Sequence, residues 1–84
     1  MARASYQNRI IQDEAVLVGK PVVKGTRISV ELVLSKLALN PDWHDLITDY
    51  PRLNRADIQA CLEFAAQTVR RRYHESKHAE DASR

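Results

Sequence analysis

Both glycines of the chain lie in one segment, residues 19–30, and that segment constrains the fold more than any other feature. Gly19 and Gly25 stand on either side of a β-branched pair, and each allows a positive φ or a close approach of the backbone where the chain turns. Ser29 then offers a side-chain oxygen to the unpaired amides of a following helical turn. We therefore predict a small β element that leads directly into a helix beginning at Val30.

The rest of the β element precedes these glycines, and the whole element spans residues 9–28. The pair Ile10–Ile11 and the run 16–18 predict a strand and a turn, and Val22–Val23 would complete a hairpin. A hairpin alone is marginally stable in water, so it must pack against helices or pair with a second copy of the chain. Residues 1–8 lack apolar periodicity and are predicted to form a flexible arm.

Three helices are predicted after the β element, at about residues 30–39, 43–49 and 55–74. Pro41 separates the first two helices, and Pro51 ends the second because proline disfavours helical geometry in the residue before it. Asp42 and Asn54 are the expected N-caps of the second and third helices.

The third helix is the longest, and its apolar residues predict the face that it buries. We expect that face to comprise Ile58, Leu62, Ala65, Val69 and Tyr73. Phe64 lies off this stripe, where a monomer would leave it exposed to water. The charged segment 75–84 is predicted to be a disordered tail, so residues 9–74 form a single domain of the mainly α class.

The second helix, the turn at 50–53 and the capped third helix have the layout of a helix-turn-helix, in which the later helix enters the major groove. The residues that would face DNA are Arg55, Ala56, Gln59, Ala60 and Glu63. Gln59 could read an adenine edge, and Arg55 a guanine or a phosphate. Against this, Asp57 and Glu63 place negative charge near the groove, and helical hairpins are also common packing units without DNA.

Three basic residues of the β element are further candidates for DNA contact. Lys20 and Lys24 flank the valine pair and would form an exposed basic strip, although edge strands also use lysine to deter aggregation. Arg27 could bind a phosphate or a partner. Alternatively, its guanidinium ties the β element to a carboxylate such as Asp49 or to carbonyls at a helix end.

Charge is unevenly distributed along the chain, although the net charge is only +2. Counting Lys, Arg, Asp and Glu, residues 1–30 carry +3 and residues 31–50 carry −3. Such asymmetry can steer a polyanion toward the basic face. It is also common on solvated surfaces, so charge alone does not establish nucleic-acid binding.

A chain of 84 residues buries little apolar surface, and association with a second copy is a common remedy. We predict a homodimer with two-fold symmetry, formed through the β element, the third helix or both. The residues expected at its interface are Phe64, Leu32, Leu39, Ile10 and Val22.

The sequence argues against a membrane protein, a secreted protein and an enzyme. No apolar run approaches the roughly 20 residues of a membrane span, and the N-terminus has no apolar signal segment.

The single cysteine, Cys61, fits the reducing cytoplasm and is expected to be a small core or interface residue. Residues 74–78 match the zinc-peptidase pattern H-E-x-x-H, which we interpret as chance because no third ligand is available downstream. We therefore expect no catalytic residues, no metal and no cofactor.

The order G-K-P-V-V-K-G-T-R-I-S-V, with the later Tyr50-Pro51-x-Leu53 and Asp57-Ile58, resembles a family of short bacterial proteins known as domain of unknown function four-three-three. The resemblance covers about residues 9–66. It implies a homeodomain-like helix-turn-helix and the role of a VapB-type antitoxin in a type II toxin-antitoxin pair. The implied partners are a PIN-like ribonuclease toxin and the protein's own operator DNA. A different class of function stays open, an oligomerisation or scaffold module that binds no DNA.

Overall fold

The computed structural model describes residues 8–83, and the side chains of residues 8–73. The strands are β1 (Ile10–Ile11) and β2 (Val22–Val23), and the helices are α1 (Val30–Leu39), α2 (Trp43–Asp49) and α3 (Arg55–Ser83). The protein is therefore mainly α, with a small two-stranded antiparallel sheet before the helices, as the sequence predicts. Apart from Asn8, the predicted flexible arm lies outside the described residues.

The β element is a hairpin that continues into a third, returning segment. Its two strands pair in the register Ile10 with Val23 and Ile11 with Val22. Val23 N–H donates to Ile28 O at 2.9 Å, and Val30 N–H donates to Pro21 O at 2.9 Å. The chain after the hairpin thus runs back along β2 and enters α1 directly.

Gly25 and Thr26 make the turn between β2 and the returning segment. Gly25 has a φ of +81°, as does Gly19, so both glycines adopt the positive φ that the sequence suggests. Thr26 Oγ1 donates to Val23 O at 2.8 Å and accepts from Ile28 N–H at 2.9 Å. The glycine and threonine of the motif are therefore accounted for by the turn.

The run 16–18 does not form the predicted strand but leads into a 3₁₀ turn over Leu17–Gly19. Leu17 and Val18 adopt φ angles of +48° and +55°, which are costly for side chains that carry a Cβ. Gly19 N–H donates to Asp13 O at 3.2 Å, and Val16 N–H donates to the same oxygen at 2.7 Å. Local closure of the loop onto Asp13 thus overrides the β propensity of these residues.

The first two helices begin at the predicted caps. Ser29 Oγ accepts from Leu32 N–H at 3.0 Å at the start of α1, and Asp42 Oδ1 accepts from His44 N–H at 2.9 Å at the start of α2. Each helix ends shortly before a proline, as expected from the restriction that proline places on the preceding residue.

The hydrophobic core lies between the hairpin and the three helices. Its buried apolar side chains are Ile10, Val22, Val23, Val30, Val33, Leu46, Leu53, Ile58, Ala60 and Cys61. Half-buried residues from α1, α2 and α3, among them Leu34, Trp43 and Phe64, pack around this cluster.

α3 buries a different face from the one predicted. The residues wrongly assigned to the core are Leu62, Val69 and Tyr73, which are 48%, 65% and 54% exposed. The buried face runs instead through Ile58, Ala60 and Cys61 to Phe64, which is half-buried. Because Ala60 and Cys61 are small, this face lets α3 approach α1, α2 and β1, all of which it contacts.

α3 also extends past its predicted end near His74. Its backbone is helical to Ser83, across most of the segment 75–84 for which the sequence suggested a disordered tail. That segment contains alanine, glutamate and lysine, whose helix propensities are high.

Candidate functional site

A capping box fixes the first turn of α3, where a helix-turn-helix would approach DNA. Asn54 Oδ1 accepts from Asp57 N–H at 2.8 Å, and Asp57 Oδ2 accepts from Asn54 N–H at 3.1 Å. The preceding Leu53 is buried, and its N–H donates to Tyr50 O at 2.9 Å. The turn and the start of α3 are thus held in one position relative to α2.

Asp57 points into the protein and not toward the face that would meet DNA. It is 7% exposed, and its Oδ1 accepts a hydrogen bond from Arg9 Nη1 at 3.1 Å. The charge of Asp57, which in the sequence argued against DNA binding by α3, is therefore paired with Arg9 beside β1 and lies away from the exposed surface. Glu63, the other acidic residue of concern, is half-buried.

The exposed surface of the first two turns of α3 is polar. Arg55 and Gln59, four residues apart, are both exposed, and Ala56 is half-buried. Ala60, which was expected to face DNA, is 1% exposed and belongs to the core. The expectation for Ala60 was wrong because this alanine lies on the buried side of the helix with Asp57 and Cys61.

Arg55 is oriented by a contact that the sequence did not predict. Its guanidinium carbon lies 5.0 Å from the centroid of the Trp43 ring, which itself stacks on the His44 ring at 4.1 Å. A cation over an aromatic face is held there while its N–H edge can still reach an acceptor. In the sequence, this contact could have been suggested by the tryptophan at the first position of α2 and the arginine at the first position of α3.

α2 offers no positive charge for a phosphate. Asp42, Asp45 and Asp49 are all exposed at its N-cap and along its length, and the helix from Trp43 to Asp49 contains no lysine or arginine. A cation that contacts the phosphates of bound DNA must therefore come from outside α2.

The two lysines of the β element are exposed. Lys20 Nζ lies 3.4 Å from Glu31 Oε1, and both side chains are mostly in solvent, so this ion pair contributes little to stability. Lys24 is exposed next to the turn at Gly25. Both lysines are placed where an anion could reach them.

Arg27 does not tie the β element to Asp49 or to a helix end. It is exposed and makes no hydrogen bond or ion pair in the part of the chain that the structure describes. Arg52 provides such a tie, since its Nη2 donates to Gly25 O at 2.7 Å. Arg52 was not predicted from the sequence to make this contact, although its place directly after Pro51 in the turn made it a candidate.

A second exposed surface follows the polar turns of α3. It consists of Leu62, Ala66, Val69 and Tyr73, which we call the α3 stripe, and all four residues are exposed. Their spacing alternates between four and three residues, as in the seam of a coiled coil. A row of exposed apolar side chains on one face of a helix is a candidate protein-binding surface.

The residues predicted at a dimer interface lie in different environments. Phe64 and Leu32 are half-buried, and Leu39, the last residue of α1, is 85% exposed. Ile10 and Val22 are buried within their own chain. A second copy that contacted the hairpin would therefore meet the backbone edge of β1 more readily than these two side chains.

Chemically reactive groups are few in the described residues. Burial, and secondarily the charge of Asp57, raises the pKa of the Cys61 thiol to about 12, so it stays protonated and unreactive at neutral pH. In residues 8–73, no three His, Cys, Asp or Glu side chains come together as metal ligands. The H-E-x-x-H match at 74–78 lies outside the described side chains. Within the described helices, none combines the length and apolar character that a membrane span needs.

Comparison with known protein families gives a match over most of the chain. Residues 10–65 match the family described as Protein of unknown function (DUF433). The matched span contains the hairpin, α1, α2 and the first turns of α3, whereas the α3 stripe beyond Leu62 lies outside it. No curated protein and no solved structure matches the chain.

Proposed function

Because the chain belongs to the DUF433 family, whose function is unknown, we propose a function that its own surfaces support: an antitoxin that binds operator DNA through α3. The observation that carries this proposal is the exposed polar face at the start of α3. Arg55 and Gln59 stand there side by side, with Asp57 turned into the core. The family resemblance adds a PIN-like ribonuclease as the toxin of the same type II pair.

In this proposal the contacts to bases and the contacts to phosphates come from different elements. Gln59 reads an adenine edge in the major groove, and Arg55 contacts a guanine or a phosphate. Lys20, Lys24 and Arg27 supply phosphate contacts from the β element, since α2 is acidic. A two-fold dimer would present two copies of α3, which suits a palindromic operator with half-sites about one helical turn apart.

Binding to the DNA upstream of the gene tests this proposal. The affinity should fall steeply as salt concentration rises, through release of counterions. Gln59→Ala should reduce the preference for the operator over an unrelated duplex by about tenfold, whereas Lys24→Ala should weaken binding to both duplexes equally. Lys36→Ala, which changes an exposed lysine on α1, is the matched control. If upstream DNA is not bound, or is bound without salt dependence, DNA reading by α3 is wrong.

The toxin half of the proposal has its own experiment. The protein should co-purify with the product of a neighbouring gene for a PIN-like ribonuclease and should inhibit cleavage of RNA by that enzyme. An active ribonuclease in the presence of excess protein would contradict the antitoxin role while leaving DNA binding to be judged separately.

The α3 stripe favours a second candidate function, an oligomerisation module that binds no DNA. Val69 and Tyr73 are more than half exposed, and their burial by another helix would be favourable. This function would be supported by a stable oligomer in light scattering combined with no affinity for the upstream DNA.

A further inference from the structure

The hairpin and the turn between α2 and α3 enclose an open cavity of about 530 Å³ next to the glycine-threonine turn. The cavity is lined by the aliphatic side chains of Ile11, Val16 and Ile28, by Gly25 and Thr26, and by two arginines, Arg27 and Arg52. No acidic residue is among these lining residues. Its volume is in the range of ordinary ligand sites.

The two arginines reach the cavity from elements that are distant in sequence. Arg52 comes from the α2–α3 turn and uses one N–H group to bond Gly25 O at 2.7 Å. A guanidinium has five N–H donors, so most of its hydrogen-bonding capacity is left. Arg27 follows the same turn and makes no hydrogen bond or ion pair within the described chain. The bond from Arg52 thus fixes its guanidinium beside the turn that precedes Arg27, and both arginines line the same cavity.

The lining indicates the chemistry of a ligand. Two guanidinium groups in the lining of one cavity favour a carboxylate or a phosphate, because the planar N–H groups of each match two oxygens. The aliphatic walls favour a ligand that brings its own apolar groups, since burying a polar group against Ile11, Val16 or Ile28 without a partner is costly. A phosphodiester backbone offers little apolar surface, whereas a peptide with neighbouring acidic and aliphatic side chains satisfies both parts of the lining.

We propose that this cavity binds an acidic, aliphatic peptide segment of a partner protein, with Arg27 and Arg52 holding its carboxylate groups. The proposal goes beyond the proposed function, because it does not depend on DNA reading by α3 or on the identity of the partner.

Nuclear magnetic resonance on the whole labelled chain tests the proposal. The probe is the blocked peptide acetyl-Ile-Asp-Leu-Glu-Ile-amide, compared with its isostere in which Asn and Gln replace Asp and Glu. The acidic peptide should cause saturable shifts in the amide signals of Gly25, Thr26 and Ile28 and in the side-chain N–H signals of both arginines. The isostere should bind about tenfold more weakly, as expected for the loss of charge-assisted hydrogen bonds.

Two variants separate the site from general charge effects. Arg27→Gln should weaken binding of the acidic peptide about tenfold and leave the rest of the spectrum unchanged, because Arg27 makes no hydrogen bond or ion pair with the residues that the structure describes. Arg71→Gln, which removes an exposed arginine of α3, should leave the affinity unchanged. Equal binding of the isostere, or an affinity that Arg27→Gln does not alter, would overturn the proposal. So would a short DNA duplex that shifts these signals while the acidic peptide does not.

Discussion

The carboxylate of Asp57 connects two parts of the molecule. One oxygen closes the capping box of α3 with Asn54, and the other accepts from Arg9 beside β1. The cap was predictable, because Asn and Asp three residues apart before an apolar run indicate a helix start. The ion pair with Arg9 was not predictable, because Arg9 lies 48 positions away and only the packing of the hairpin on α3 brings it near Asp57.

Asp57→Ala should therefore destabilise the protein by about 2 kcal/mol, from the lost cap and the unpaired Arg9. Urea denaturation measures this change. Asp49→Ala, which removes an exposed carboxylate from α2, should change the free energy of unfolding by less than about 0.5 kcal/mol. Equal effects of the two substitutions would contradict the role of Asp57 as a buried link.

The buried thiol of Cys61 predicts a pH dependence at the same scale. Its pKa is about 12 in the folded state against an ordinary value of 9.0. Above pH 9.0 the unfolded chain loses this proton while the folded chain keeps it, so the free energy of unfolding falls as pH rises toward 12. Below that range the thiol is protonated in both states and contributes no pH dependence.

Comparison of the wild type with Cys61→Ala isolates this effect from the titration of lysine and tyrosine. At neutral pH the variant should be less stable by about 1 kcal/mol, because a small cavity replaces the sulfur. That difference should shrink as pH rises above about 9. Urea titrations at neutral and alkaline pH measure the difference in the free energy of unfolding between the two proteins. If that difference does not change with pH, the Cys61 thiol does not stay protonated in the folded state above pH 9.0.

At the scale of elements, the parts that local chemistry determines were predictable. Gly25, Ser29 and Asp42 act through hydrogen bonds and φ angles within a few residues, so they give the turn and the starts of α1 and α2. The buried face of α3 was not determined locally. From Ile58, a step of four residues leads to Leu62 and a step of three leads to Cys61, and both satisfy helical spacing.

The surroundings of α3 decide between these two faces, and a pair of substitutions tests the outcome. Phe64→Ala should destabilise the monomer by about 2 kcal/mol, because Phe64 packs against the core. Leu62→Ala should change the stability of the monomer by less than about 0.5 kcal/mol, because that side chain is exposed. Thermal unfolding at low protein concentration measures both effects. If Leu62→Ala is the more destabilising of the two, α3 buries the face that the sequence predicts.

At the scale of the whole molecule, α3 exceeds what one copy of the domain can cover. It has 29 residues and so spans about 43 Å, and those of its described side chains that pack in the core lie between Ile58 and Phe64, in its first half. The α3 stripe lies on the exposed side of this helix and runs from Leu62 to Tyr73, beyond the residues that pack into the core. A sequence pattern shows that such a helix is amphipathic, but it does not show whether its own chain or another chain covers the apolar side.

We expect a second copy of the chain to cover the α3 stripe, giving a two-fold dimer at micromolar concentration. The double variant Leu62→Glu/Val69→Glu should raise the dissociation constant at least about 100-fold, since two apolar side chains lose about 3 kcal/mol of burial. Light scattering and sedimentation measure the change, and circular dichroism should show that the monomer stays folded.

Phe64, which the sequence predicts at the dimer interface, is not used for this test. A charged substitution there would disturb the core as well as the interface. Lys36→Glu, which places a carboxylate on exposed α1, is the control and should leave the dimer intact. A wild-type monomer across the micromolar range would contradict self-association. If the double variant is still a dimer, the seam lies elsewhere, at the open edge of β1 or at the exposed Leu39 at the end of α1.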